Sequence, residues 1–221
     1  MKITIFLLFV LGFSQAFSLT LEQVKTALKE NLIPQDSIEM NLRVSVRAAS
    51  VYQQSEVYIV RKGTDKSYIE IKNDFLKQRS IVNGKRMKIV NLKTNKTQIV
   101  DYNGESLQSD SYANFNPLDS GTWNEPKFYS GNLYAIEGLS TTIYYNQKLK
   151  RIEKVESIKD AANTLTTFSY DANNKIKKME VSVIVNGQES VVTTEFLRMQ
   201  KSDKVPNKLF EFSITCRIRY F

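Results

Sequence analysis

The sequence predicts a mainly β protein of the α+β class, in which one short N-terminal helix precedes about eleven antiparallel strands. Apolar and polar residues alternate from Ile38 to Arg47, as in a strand with one buried face. Asn83-Gly84 and Asn186-Gly187 separate alternating segments in the way that tight hairpin turns do. Apolar residues with helical spacing occur near the start of the chain, over residues 21–32.

The first 18 residues predict a secretory signal peptide. Lys2 precedes an almost unbroken apolar run over residues 3–13, which is too short to span a bilayer, and small residues flank a cleavage site after Ala16 or Ser18. The alternative is an uncleaved anchor, but no basic cluster follows the run. We therefore expect export to the periplasm, a soluble mature protein and a single domain over residues 19–221.

A capping box predicts where the N-terminal helix begins. Thr20 can accept a hydrogen bond from the amide of Gln23, whose side chain can reach back to Thr20. We expect the helix to end before Pro34. One face of this helix carries Leu21, Val24, Leu28 and Leu32.

Short segments with period-two alternation predict a meander of strands after the helix. The strands after Ile38–Val46 are expected at 56–61, 67–72, 76–82, 86–92, 97–102, 133–136, 141–145, 151–158, 163–170, 175–185, 189–199 and 209–212. Residues 103–133 interrupt this pattern with Asn, Ser, Asp, Gly and Pro, yet carry aromatic side chains. Such an insert either packs locally or forms a lid over a cavity.

The composition argues against several functional classes. The chain has no histidine, which removes the usual general base, and its one cysteine, Cys216, has no histidine to activate it. The 8 glycines form no phosphate-binding motif. The net charge of +8 is spread over alternating strand positions, and export argues against a nucleic-acid partner. We expect no enzymatic activity, no metal site and no cofactor.

One face of the predicted sheet is too apolar for a single short helix to cover. The sheet must therefore curl, and the enclosed volume is either a cavity or a filled core. The sequence pattern alone leaves these two alternatives open.

Several segments, in order, resemble the LolA-like family of periplasmic lipoprotein carriers. After the capped helix, the similar segments are 37–42, 57–62, the strand-turn-strand Ser80-Ile81-Val82-Asn83-Gly84-Lys85-Arg86-Met87-Lys88-Ile89, and the ending Val205-Pro206-Asn207-Lys208-Leu209-Phe210-Glu211-Phe212. The resemblance implies a strongly curved antiparallel sheet that forms an incomplete barrel, with a lid-like insert. It also implies a carrier that binds the acyl chains of lipoproteins or lipids and moves them toward the outer membrane.

The resemblance and the alternation together suggest residues for this function. The expected cavity wall consists of Leu42, Val44, Val46, Ile59, Ile69, Ile71, Ile89, Tyr145, Phe168, Val181, Val183 and Phe212. Arg61 or Lys62 corresponds to the family's lid-holding arginine. The implied partners are acylated lipoproteins or phospholipid, an inner-membrane release transporter and an outer-membrane receptor, and the protein is expected to be a monomer.

Other functions compete with the carrier hypothesis. A periplasmic module that senses lipoproteins or binds a protein partner, with no transport role, is the main alternative. The C-terminal Phe221 suggests an outer-membrane barrel, but Arg217 and Arg219 share its strand parity, which disfavours that idea.

Overall fold

The computed structural model describes residues 19–31, 38–103, 116–119 and 121–212. Helix α1 is Leu21–Asn31. The strands are β1 Ile38–Ala48, β2 Val51–Lys62, β3 Lys66–Lys72, β4 Lys77–Asn83, β5 Arg86–Asn91, β6 Thr97–Asp101, β7 Lys127–Ser130, β8 Leu133–Glu137, β9 Thr141–Asn146, β10 Arg151–Lys159, β11 Ala162–Tyr170, β12 Ile176–Val185 and β13 Gln188–Lys201. Within these residues no helix is long and apolar enough to cross a membrane.

All thirteen strands belong to one antiparallel sheet, in the order β6-β5-β4-β3-β2-β1-β13-β12-β11-β10-β9-β8-β7. The sheet is open, since β6 and β7 form its two edges. Every neighbouring pair follows in sequence except β1 and β13, which join the two halves of the chain. The expected mainly β fold, an incomplete barrel with an N-terminal helix, is therefore confirmed.

The capping box forms as predicted. The Thr20 amide donates to Gln23 Oε1 at 2.9 Å, and the Gln23 amide donates to Thr20 Oγ1 at 3.3 Å. Glu125 adds a second cap, because its Oε2 accepts the Leu21 amide at 2.9 Å. A carboxylate at a helix N-terminus also interacts favourably with the helix dipole. Residues that follow β6 in sequence therefore hold α1 in place.

Strand register assigns the apolar residues to two faces of the sheet. Val24 and Leu28 of α1 pack against Ile143 and Tyr145, so we call their side of the sheet the inner face. The paired positions carry this face across to β1 and β2, where a second buried cluster contains Leu42 and Ile59. The opposite side is the outer face.

The two predicted Asn-Gly turns have different outcomes. Asn186 and Gly187 both have positive φ, +51° and +77°, and join β12 to β13 as predicted. The prediction for the other turn is wrong by one residue. Asn83 pairs with Arg86 as the last residue of the ladder, so the central turn residues are Gly84 and Lys85, and of these only Gly84 has positive φ.

The predicted closing strand at 209–212 is also wrong. Asn207–Phe210 is a 3₁₀ helix, in which the Leu209 amide donates to Pro206 O at 3.1 Å. Leu209 and Phe210 are both buried against a cluster on the outer face. A strand would place these consecutive side chains on opposite faces, so only a helical turn buries both.

The signal peptide, Leu32, Cys216 and Phe221 lie outside the described residues. The structure adds β7 within the predicted insert. It also extends β2 back to Val51, five residues before the predicted start at Glu56.

Glu70 links three side chains on the outer face, next to the cluster that the C-terminal 3₁₀ helix covers. It is only 4% exposed and accepts from Tyr68 at 2.6 Å, Arg79 Nη2 at 2.8 Å and Lys72 at 2.5 Å. Burial alone would raise its pKa, but the hydrogen bonds from Lys72, Tyr68 and Arg79 hold the pKa of Glu70 below its ordinary value. This carboxylate is therefore ionised in the folded protein at neutral pH.

We expect Glu70→Gln to lower the free energy of unfolding by about 2 kcal/mol at pH 7, because Arg79 loses a buried charged partner. The folded-state pKa lies below the unfolded value of about 4.3, so the carboxylate stabilises the fold above that pH. This stabilisation is lost as the pH falls through the lowered pKa. Urea unfolding of the original protein and of Glu70→Gln, at pH 7 and below pH 4, measures the difference in unfolding free energy. If that difference does not shrink in acid, the ionised Glu70 carboxylate is not its source. Glu180→Gln, which breaks an exposed pair with Lys178, is the control.

The turn at Gly187 gives a second prediction. Nothing lies within 4 Å of a Cβ built there, so Gly187→Ala costs only backbone strain at positive φ, about 1 kcal/mol of unfolding free energy. Ala49 has a φ of +48° in the β1–β2 turn, so Ala49→Gly should be neutral or stabilising. Denaturant titration compares the two, and equal destabilisation by both would show that these turns are not strained.

Candidate functional site

The inner face carries every predicted wall residue except Phe212. The cross-strand pairs that connect these residues include Leu42 with Val57, Ile59 with Ile69, and Val181 with Val192. On the inner face lie Leu42, Val44, Val46, Ile59, Ile69, Ile71, Ile89, Tyr145, Phe168, Val181 and Val183. Phe212 instead packs on the outer-face cluster, with Val60 and Tyr68.

Helix α1 closes one part of this face. Val24 of the helix and Ile136, Ile143 and Tyr145 of the sheet are at most 2% exposed, so this region is filled core. Phe168 is half-buried at the margin of the same cluster. Tyr145 and Phe168, predicted as cavity wall, therefore contribute to the packing beneath α1.

The rest of the inner face opens gradually toward one end of the sheet. Along β1 the exposed fraction rises from 1% at Leu42 to 8% at Val44 and 38% at Val46. Along β12 it rises from 8% at Met179 to 41% at Val185. These strand ends are neighbours through β13, since Val46 pairs with Val192 and Val192 with Val181. The result is an apolar surface whose accessible end lies where β1 and β12 finish.

Thr194 is one of several polar residues on this face, which by the same register also carries Ser55, Thr166 and Ser190. The sequence pattern did not single it out. It lies between Val44 and Met179 in the ladders and is fully buried. Among the described residues its hydroxyl has no hydrogen-bond partner. A buried hydroxyl without a partner costs free energy, so this position lowers the stability of the sheet.

The C-terminal part of the insert also covers the inner face. Pro117–Asp119 is a 3₁₀ helix whose Leu118 is 2% exposed and packs with Val24 in the cluster beneath α1. Trp123 packs against the same cluster. Residues 104–115 lie outside the described residues, so the lid role of the insert stays a prediction.

Lys62 binds the C-terminal segment. Its ammonium group donates to Val205 O, and the hydroxyl of Ser202 donates to Arg61 O at 2.6 Å. Lys88 holds the same segment further on, where its ammonium group donates to Phe212 O at 2.8 Å. This arrangement ties residues 202–212 to the outer face, whereas the lid-holding role of Arg61 or Lys62 stays a prediction.

Glu153 and Glu156 on β10 are the acidic side chains nearest in sequence on one strand, and neighbouring cations neutralise both. Glu153 pairs with Arg151 at 3.0 Å and Glu156 with Lys154 at 2.8 Å. The hydrogen bond from Lys154, followed by that from Tyr144, lowers the pKa of Glu156, whereas a general acid requires a raised one. The described residues contain no group of three or more His, Cys, Asp or Glu that could hold a metal ion.

A shallow pocket of about 440 Å³ lies beside Glu156. Glu137, Thr142 and Ile158 also line it, and all three belong to the outer face. The β8–β9 turn, residues 138–140, and the inner-face position Thr141 also line it, so the pocket lies beside that turn.

Two solved structures have a similar fold. A LolA superfamily protein from Nitrosomonas europaea superposes with a TM-score of 0.53 and 15% identity, over 88% of this chain and 98% of that chain. A putative outer membrane lipoprotein-sorting protein domain from Vibrio parahaemolyticus gives a TM-score of 0.53 and 7% identity, over 85% of this chain and 94% of that chain. No protein-family model and no curated protein matches the sequence. The open thirteen-stranded sheet with its N-terminal helix is therefore a LolA-like fold.

Proposed function

We propose that this protein is a periplasmic carrier whose inner face shields acyl chains of lipoproteins or phospholipid on their way to the outer membrane. The observation that carries the proposal is the apolar inner face, which is filled core beneath α1 and accessible where β1 and β12 end. One of the similar solved structures is described as a lipoprotein-sorting domain, which supports the same class of ligand.

Acyl chains need a carrier of this kind because leaving them in water is costly. Removing a methylene group from water is favourable by about 0.8 kcal/mol, so exposing two or three acyl chains of roughly sixteen carbons costs tens of kcal/mol. The binding free energy is far smaller than that total, because ordering both partners opposes association. A surface on which aliphatic side chains are interspersed with small uncharged polar ones suits chains that must be both held and released.

The carrier proposal includes partners on both sides of the periplasm. A signal peptide over residues 1–18 accounts for export, and transfer requires an inner-membrane transporter that releases cargo and an outer-membrane receptor that takes it. The protein acts as a monomer, without a cofactor and without catalysis. Val44, Val46, Val181 and Val183 are the proposed contacts toward the accessible end of the inner face.

Adjacent residues on β1 allow a matched test of the inner face. Val46 faces inward and is partly exposed, whereas Ser45 faces outward between Thr193 and Gln54. We expect Val46→Glu to weaken binding of a phospholipid that carries a fluorophore on one acyl chain by about tenfold or more, because a carboxylate next to an acyl chain is poorly solvated. Fluorescence titration of the purified protein measures the affinity.

Ser45→Glu adds the same charge one residue away and should leave the affinity within about twofold of the original. Equal loss in both variants would point to charge rather than to the inner face. If the unaltered protein does not bind the probe at all, the carrier proposal fails and the lipoprotein-sensing or protein-binding alternative takes its place.

A further inference from the structure

Six hairpin turns lie at the end of the sheet where the inner face is accessible, and four of them, on neighbouring strands, end at similar levels. The hairpins β1–β2, β12–β13, β10–β11 and β8–β9 use eight strands that are consecutive in the sheet order. Their ends lie at similar levels, since Ala48 pairs with Ser190, Val185 pairs with both Gln188 and Ala162, and Ser157 pairs with Thr141. We call the tips of these four hairpins the hairpin rim, residues 46–52, 138–140, 158–162 and 184–188.

Each of the four hairpins exposes large apolar side chains at the rim. Tyr52 is 65% exposed, Ile158 is 67% exposed, Leu139 is fully exposed and Val185 is 41% exposed. The remaining exposed apolar side chains at the rim are Val46, Val51 and Ile184. With strands about 4.8 Å apart, these tips extend along roughly 30 Å of the sheet end.

The turns at the opposite end of the sheet expose far fewer apolar side chains than the rim does. The connections there are 63–65, 84–85, 131–132, 147–150 and 171–175, and among their residues only Leu149 is an exposed large apolar side chain. Phe75 and Leu76 are exposed in the β3–β4 turn, which lies at the same end of the sheet as the rim but is set back from its tips. Among the described residues, the exposed apolar side chains elsewhere are Ile99, Phe128, Tyr129, Leu165 and Leu197. A soluble surface that exposes apolar tips at one end and polar turns at the other indicates an interaction site.

We propose that the hairpin rim docks on the surface of a phospholipid bilayer, with the apolar tips inserted among the headgroups. Separate tips on neighbouring turns suit a fluid interface, whereas a protein partner would need one contiguous complementary surface. Tyr52 has the apolar ring and polar end that favour the membrane interface. The charged side chains at the rim are Arg47, Lys159 and Asp160, and all three are exposed. Because they are few and of both signs, contact between the rim and the bilayer is mainly apolar. The net charge of +8 adds a general attraction to anionic lipids.

Docking at this end would place the accessible part of the inner face against the bilayer. Val46 and Val185 belong both to the rim and to the gradient of exposure along the inner face. An acyl chain could then move between the bilayer and the inner face without crossing water. This inference rests on the proposed carrier function for its purpose, but the docking surface itself is tested independently.

Co-sedimentation of the purified protein with vesicles of phosphatidylglycerol and phosphatidylethanolamine tests the docking surface. We expect the unaltered protein to bind, and the double variant Leu139→Ser/Ile158→Ser to lower the partition coefficient by about tenfold. Leu149→Ser, at the opposite end, is the matched control and should stay within about twofold. Because the contact is mainly apolar, the difference between the variants should persist at high salt.

A spectroscopic measurement separates insertion from adsorption. The protein has one tryptophan, Trp123, which packs against the core. Tyr52→Trp should therefore add fluorescence that brominated phospholipids quench, whereas the parent protein shows little quenching. Absence of quenching overturns insertion.

The docking proposal and the carrier proposal fail in different ways. The docking surface is overturned if the unaltered protein does not bind vesicles, or if the rim variant binds as the original does, which would leave the rim to a protein partner. It is also overturned if Leu149→Ser weakens binding equally. If only the docking proposal is wrong, the unaltered protein and the variants still bind the fluorescent acyl probe at the original level. If the carrier proposal is wrong, even the unaltered protein does not bind the probe.

Discussion

The burial of one apolar face of an open antiparallel sheet is the constraint on which the rest of this structure depends. Thirteen strands present more inner face than an eleven-residue helix can cover. The chain therefore covers part of that face with α1, Leu118 and Trp123, and leaves the part toward the hairpin rim accessible. An uncovered apolar surface of this kind is unfavourable in water unless a ligand or partner occupies it during function.

The covering elements are attached by a small number of specific contacts. Glu125 caps α1 from within the insert, so the helix and this part of the insert are fixed together. On the other side of the sheet, Lys62 and Lys88 hold the C-terminal segment by its carbonyl groups. The two faces therefore differ: the outer face anchors residues 202–212, and the inner face is partly accessible.

The alternation of residues predicted the inner face well, because a period of two determines which side chains share a face once the register is known. This is why Leu42, Val44, Val46, Val181 and Val183 were predicted to lie together, although β1 and β12 are far apart in sequence. It is also why Phe212 was misplaced, since Leu209 and Phe210 are buried consecutively in a 3₁₀ helix and not alternately. All four residues of β7 are exposed, so that strand offered no alternation to detect.

The accessible end of the site could not be predicted from the sequence. Leu139 and Tyr52 look like ordinary strand-end residues, and only the sheet order brings their turns to one end of the molecule. The buried hydroxyl of Thr194 was hidden for a similar reason, because Thr is common in exposed strand positions and its burial depends on both neighbouring strands. Topology, which local patterns do not encode, therefore determines where the inner face opens.

Native mass spectrometry of the protein purified from cells without added lipid, followed by organic extraction of anything bound, shows whether the inner face carries acyl chains. For a carrier we expect a mass above that of the polypeptide, from which extraction releases an acylated peptide or a phospholipid. A clean mass of the polypeptide alone, together with no uptake of an acyl probe, would contradict the carrier proposal and would show that the inner face serves as core or as a protein-binding surface.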